Sequence, residues 1–121
     1  MAGKIVLVDD SPTIRKQVSS ALYGRYDFLE AGDGAEGFQV VQQNPDALLV
    51  LLDINMPKFD GISLLRRMRA DEELAKIPVI ILTTERDQKV VEDAKSLGAR
   101  GWIVKPIAPT TLIGAIEKVL G

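Results

Sequence analysis

Four apolar runs in this sequence each end on side chains that can do chemistry. Ile5 to Val8 ends on Asp9 and Asp10, Leu48 to Leu52 on Asp53, Val79 to Leu82 on Thr83, and Trp102 to Val104 on Lys105. A single Asp closing a strand is ordinarily a turn former or the N-cap of the next helix. Runs without alternation, however, fit strands covered on both faces. In an open α/β sheet the carboxyl ends of such strands are where ligands bind. Together the four runs would bring three carboxylates, a hydroxyl and an ammonium to one edge of one sheet. Two carboxylates ~4 Å apart repel by roughly 4 kcal/mol at an effective dielectric of about 20, so the set requires a cation. Lys105 supplies one positive charge. A divalent ion would supply more, and with no histidine and no cysteine in the chain it must be held by oxygen, Mg²⁺ first and Mn²⁺ as substitute. A carboxylate can itself attack phosphorus and form an aspartyl phosphate. That transfer chiefly needs position and neutralisation of charge on the equatorial oxygens. Mg²⁺, the Lys105 ammonium and the Thr83 hydroxyl suit those oxygens.

The elements that must position these groups read as five βα units. Lys4 to Val8 is the first strand. Its helix has Ser11 as N-cap, Pro12 as first residue, an apolar stripe of Ile14, Val18, Ala21 and Leu22, and Gly24 as its stop. Tyr26 to Glu30 is a weaker strand placed at an edge, and a helix runs from Asp33 to about Gln43, with Glu36 completing a capping box. The central strand, Leu48 to Leu52, leads through Asn55, Met56-Pro57 and Asp60-Gly61 into a helix from about Ile62 to Arg69. Ile62, Leu65 and Met68 face inward there, and Arg66, Arg67 and Arg69 form a solvated outer face. Pro78 starts the fourth strand. A helix then spans about Asp87 to Leu97 with Gly98 as its stop, and the fifth strand covers Gly101 to Val104. Pro109 opens a last helix with Leu112, Ile113, Ile116, Val119 and Leu120 apolar. Such alternation through short loops implies an α/β fold, a doubly wound parallel sheet with helices on both faces and right-handed crossovers.

Composition narrows the function classes. At 121 residues, 1–121 is expected to be a single domain with a sizeable core and no separate output domain. A net charge of −2 and a pI near 5.1 leave no basic footprint for nucleic acid or anionic lipid. The absence of cysteine excludes disulfides, zinc-thiolate sites and thiol catalysis, and the absence of histidine removes the commonest general base. The apolar stretch before Asp9 is too short for a signal peptide and nothing later approaches a membrane span, so the cytoplasm is the expected location. One motif competes. Gly32-Asp33-Gly34-Ala35-Glu36-Gly37 is a literal G-x-G-x-x-G between a strand and a helix, with Asp53 about 20 residues on, where a ribose-binding acid would stand. Against a dinucleotide, Asp33 and Glu36 put two negative charges on the helix N-terminus that would have to receive a pyrophosphate.

Asp9-Asp10, Asp53 with Met56-Pro57 and Asp60-Gly61, Thr83, and Lys105-Pro106 together resemble, over the whole chain, the receiver domain of two-component response regulators. The likeness is greatest to the stand-alone, CheY-like chemotaxis type. The resemblance implies a strand order of 2-1-3-4-5. It makes Asp53 the phosphoacceptor, Asp10 a direct Mg²⁺ ligand together with Asp53 and the Asn55 backbone carbonyl, and Asp9 a water-mediated support. Thr83 and Lys105 would bind the phosphoryl group, and Asn55 and Glu85 would flank the water that removes it. Lys105-Pro106 is expected to be a cis peptide. The position three before Lys105, commonly Tyr or Phe in the family, is Trp102, and Thr84 is bulkier than the alanine of some relatives. The expected donor is a phosphohistidine on a separate histidine kinase or phosphotransfer domain. The expected target is a protein such as a flagellar or pilus motor component. It would dock on the fourth helix (Val90, Val91, Ala94, Leu97), the fifth strand and the last helix of a monomer, under control of Thr83 and Trp102. Two further readings remain at this point: a receiver cut from a longer transcriptional regulator or hybrid kinase, and an Asp-nucleophile phosphohydrolase of the haloacid dehalogenase kind. The latter usually needs a second acid where this chain has Asn55.

Overall fold

Five strands pair in parallel in the order β2-β1-β3-β4-β5 in the computed structural model, which describes residues 3–56 and 60–121. They are β1 (Lys4–Val8), β2 (Asp27–Ala31), β3 (Leu49–Leu52), β4 (Val79–Thr83) and β5 (Gly101–Val104). Between and after them run α1 (Pro12–Ala21), α2 (Gly34–Gln43), α3 (Gly61–Ala70), α4 (Gln88–Ser96) and α5 (Pro109–Leu120), with a 3-10 turn at Leu74–Lys76 before β4. Pro57 of the Met56-Pro57 pair lies outside the described residues. Among the described residues no helix is long and apolar enough to cross a membrane.

The unalternating runs are explained by cover on both faces. Val6, Val8, Val50, Leu52, Val79 and Ile81 pack with Val41, Leu64, Leu65, Met68 and Ala94 of α2, α3 and α4. Ile5, Leu7, Leu49, Leu51, Ile80, Leu82 and Ile103 pack with Val18, Leu22, Leu112 and Ile116 of α1, α5 and the turn after α1. Each such aliphatic side chain contributes roughly 1.5–3 kcal/mol on burial, so both faces hold the strand ends rigidly. The N-caps form where residue types imply them, but the expected capping box at α2 closes one residue early. Ser11 accepts the Ile14 N–H, Asp60 the Ser63 N–H and Asp87 the Lys89 N–H. At α2, Asp33 accepts the Glu36 N–H at 2.8 Å, while the Glu36 carboxylate accepts the N–H of Gly32, one residue upstream of the cap. The two acids therefore occupy the amides a pyrophosphate would need, and the glycine motif is a cap.

Several sequence expectations need correction. Leu48 is not part of the central strand; it is 41% exposed and precedes β3. The edge strand begins one residue later than its apolar content suggests, because its register is set by pairing Lys4 with Asp27 through Val8 with Ala31. In α3, Leu64 is fully buried and Ile62 only partly so. Arg66 and Arg67 are exposed, with the Arg67 guanidinium 4.2 Å from the centre of the Phe38 ring, but Arg69 does not face solvent. Its guanidinium donates to the carbonyls of Leu97 (2.6 Å), Ala75 (3.1 Å), Ile77 (3.4 Å) and Gly98 (3.5 Å).

Candidate functional site

Strand order decides where the site forms. After β1 the chain moves to β2 on one side, and β3 returns to the other side of β1, so the crevice between β1 and β3 lies at the reversal point. Val8 pairs with Leu52, and the Asp53 N–H donates to the Val8 carbonyl at 2.9 Å. Asp9 and Asp53, the next residues, therefore emerge side by side. β4 and β5 end beside them, with Thr83 paired to Val104 and the Lys105 N–H donating to the Thr83 carbonyl at 2.9 Å.

Lys105 closes the constellation. Its Nζ stands 2.7 Å from Asp9 Oδ2 and 3.1 Å from Asp53 Oδ2, with the lysine side chain only 11% exposed. The Lys105–Pro106 peptide bond is cis. Asp9 Oδ1 also accepts the Ser11 N–H at 2.9 Å, and Asp53 Oδ1 the Asn55 N–H at 3.1 Å. Carboxylate oxygens of Asp9, Asp10 and Asp53 lie within 4.8 Å of one another, Asp9 and Asp53 buried and Asp10 exposed. Three acids so close, with one ammonium between two of them, leave negative charge to be balanced. An all-oxygen set of this kind fits a hard divalent cation. Burial pushes the Asp9 carboxyl above its ordinary range, against the pull of Lys105 and the Ser11 N–H. Burial alone would lower Lys105, but the hydrogen bond to Asp9 and the charges of Asp9 and Asp53 hold its ammonium above the usual value.

The loop after β3 depends on one glycine. A Cβ on Gly61 would fall 2.3 Å from the Asp53 carbonyl oxygen and 2.6 Å from Ile54 Cα, so only glycine lets α3 start against the strand end. Thr83 is fully buried, and its Oγ1 accepts the Glu85 N–H at 3.1 Å, which leaves its own hydrogen free to donate. Glu85 is half-buried, with its carboxylate taking the N–H groups of Arg86 (3.2 Å) and Asp87 (3.0 Å). Asn55 is exposed. Trp102 lies on β5 opposite Ile81, half-buried against the α2–α3–α4 side of the sheet. Val90 and Val91 on α4 and Leu97 just after it are partly exposed, but Ala94 is fully buried in the core and cannot belong to a docking face as expected.

Sequence reasoning missed Arg15. Its guanidinium donates to the Asp9 backbone carbonyl and to Glu30 Oε1 at 2.9 Å. The available signal was a basic residue in the first turn of a helix, where the dipole favours acids.

A doubly wound sheet that gathers paired acids, a hydroxyl and a lysine at its reversal point is the arrangement of a receiver. The chain belongs to the response regulator receiver domain family, which it matches over residues 5–117. It is a receiver of the CheY type, a signalling protein rather than a conventional enzyme, and that class acts as a phosphorylation-dependent switch. It is 38% identical over 120 residues to the chemotaxis protein CheY1 of Helicobacter pylori strain J99, covering 98% of this chain and 97% of that one. The structure of Vibrio cholerae CheY4 superposes with a TM-score of 0.91 at 33% identity, covering 99% and 100% of the two chains. CheY from Borrelia burgdorferi, solved in a complex with CheX, BeF₃ and Mg²⁺, gives a TM-score of 0.91 at 27% identity, covering 98% and 90%.

Proposed function

We propose that this chain takes a phosphoryl group onto Asp53 from a phosphohistidine on a separate histidine kinase or phosphotransfer domain. It then presents an altered surface to a target in chemotaxis or motility control, such as a flagellar or pilus motor component. The observation that carries the proposal is the Lys105 ammonium bridging Asp9 and Asp53 at the sheet's reversal point, with the buried Thr83 hydroxyl alongside. A carboxylate oxygen of Asp53 forms the new bond to phosphorus as the P–N bond breaks, and the imidazole nitrogen keeps the electron pair. Lys105 exchanges part of its contact with Asp53 for a phosphoryl oxygen, and Thr83 donates its free hydrogen to another. Asp10, Asp53 and the Asn55 carbonyl would hold Mg²⁺ or Mn²⁺, with Asp9 supporting through water. The ion supplies charge neutralisation on the phosphoryl oxygens. The BeF₃ and Mg²⁺ bound to a relative of the same fold support this reading. Loss of the group requires water in line with Asp53. Asn55 and Glu85 orient that water, Glu85 after releasing the amides of Arg86 and Asp87. The proposed setting is the cytoplasm and the proposed state a monomer.

Intact mass after incubation with Mg²⁺ and acetyl phosphate tests the proposal. One phosphoryl group is expected on wild type, none on Asp53→Asn and none in EDTA. Decay of the label should slow severalfold in Asn55→Leu and in Glu85→Leu. Label persisting in Asp53→Asn or in EDTA rules out the site, and unaltered decay in both leucine variants removes those two residues from hydrolysis.

A further inference from the structure

Arg15 has an unusual station for its charge. It is the fourth residue of α1, near the positive end of the helix dipole, and its side chain is only 20% exposed. Nε donates to Glu30 Oε1 at 2.9 Å, on the edge strand β2, and Nη1 donates to the backbone carbonyl of Asp9. That carbonyl belongs to the peptide unit joining Asp9 to Asp10. The unit is planar and stiff, so a donor that holds its oxygen also holds the direction of the Asp10 N–Cα bond. The other atoms of Asp9 are fixed too: its N–H donates to the Ala31 carbonyl, and its carboxylate is held by Ser11 and Lys105. Asp10 is exposed, and its carboxylate still lies within 4.8 Å of those of Asp9 and Asp53. Rotation about the Asp9 Cα–C bond, which carries this carbonyl and Asp10 together, would swing it away.

We propose that Arg15 is a positioning residue for the cation: through the Asp9 carbonyl it aims Asp10 into the acidic cluster, and Glu30 holds Arg15 in place. The inference rests on the reading of Asp9, Asp10 and Asp53 as a Mg²⁺ site. Charge alone predicts the opposite effect. A guanidinium beside the cluster repels a divalent cation, so its removal would tighten binding. Lysine keeps the charge but lacks the planar fork that reaches two acceptors at once.

Titration calorimetry of MgCl₂ into the full chain, at constant ionic strength, separates the two accounts in wild type, Arg15→Lys, Arg15→Met and Glu30→Gln. The Mg²⁺ Kd should rise about tenfold in both Arg15 variants, the scale seen when groups that orient metal ligands are lost, and by a smaller factor in Glu30→Gln. Acetyl phosphate labelling at saturating Mg²⁺ should return to the wild-type rate in all three. A Kd unchanged or lowered in Arg15→Lys overturns the proposal, as does labelling that stays slow at saturating Mg²⁺. Glu30 is 47% exposed, so Glu30→Gln keeps the test open if an Arg15 variant unfolds, and a wild-type Kd there overturns the proposal. If wild type fails to bind Mg²⁺, the site reading falls and this inference with it. Binding by wild type with unaltered variants removes this inference alone.

Discussion

Asp9 bears the main electrostatic cost of the site. Burial raises its pKa and the Asp53 charge adds to the rise, while Lys105 and the Ser11 N–H offset only part of it. An acid with a raised folded pKa destabilises the folded state once ionised. The cost is absent below the unfolded value of 3.8, builds as pH rises towards the folded value, and is fully present above it. Lys105 has the opposite pH profile. Its folded pKa is raised, so the stability it contributes is present below 10.5 and lost as pH rises through the folded value. Without Mg²⁺, Asp9→Asn is therefore expected to melt above wild type at neutral pH, with the gap narrowing on acidification towards 3.8. Saturating Mg²⁺ should reverse the order, because the ion stabilises the form that binds it. Thermal melts with and without the ion check both signs, and a variant melting below wild type at neutral pH without Mg²⁺ contradicts the account. At this scale the sequence was informative where residue type and strand end coincided, as at Asp9, Asp53, Thr83 and Lys105. It missed Arg15 and misplaced Arg69 on a solvated face, because an arginine on a helix reads much the same whether it meets water or a row of carbonyls.

Among the elements, α4 is lightly held. Ala94 is its single buried residue, with Val90 and the following Leu97 packed partly against the core. Its C-terminal end makes up for this. Gly98, at φ +86°, lets its own N–H reach the Lys95 carbonyl and the Ala99 N–H reach the Ala94 carbonyl, closing the helix with a left-handed turn. That turn exposes the carbonyls of Leu97 and Gly98 to the Arg69 guanidinium, which also grips the segment between α3 and β4. A side chain on Gly98 would also be crowded: its Cβ would stand 3.1 Å from Arg69 Nε, and the guanidinium would have to give by a few tenths of an ångström. Arg69→Met keeps the side chain's apolar length and removes the donors. It should cost about 2 kcal/mol in urea unfolding, the scale of hydrogen bonds to a charged group when water can replace part of them. Amide exchange should accelerate in α4 more than in α2. Exchange rising equally in both helices would mean that Arg69 supports the fold at large and not the seat of α4.

For the molecule as a whole, the proposed phosphorylation site and the proposed docking face are joined by β4 and β5. Thr83 ends β4, and Trp102 lies on β5 opposite Ile81, two residues before Thr83 on the same face of the sheet. If the hydroxyl turns towards a phosphoryl group of charge about −2 on Asp53, it gives up the Glu85 N–H and frees the loop that starts α4. The changed packing there would be felt by Trp102, the only tryptophan in the sequence. Only a contact that differs between the two states can shift their balance, and on the proposed function the Thr83 hydroxyl would be such a contact. Beryllofluoride with Mg²⁺ should therefore alter tryptophan emission in wild type beyond the change given by Mg²⁺ alone, and leave Asp53→Asn unaffected. Constant emission with Asp53 demonstrably occupied would place the output on another face.

Sequence by itself determined the alternation of strands and helices, the burial of the three central strands on both faces and the identity of the groups at the strand ends. These follow from local facts: unbroken apolar runs, capping residues, and prolines and glycines at element ends. Only the tertiary structure decided the distances. Asp9 and Lys105 are 96 positions apart in the chain and 2.7 Å apart in space because the order of strands, not their composition, sets which ends are neighbours. The same holds for the errors. Leu48 and Ala94 look alike as apolar residues in apolar patterns, yet one is 41% exposed and the other fully buried. Which side of an element meets the core is fixed by the partner packed against it, and no local pattern carries that partner's position.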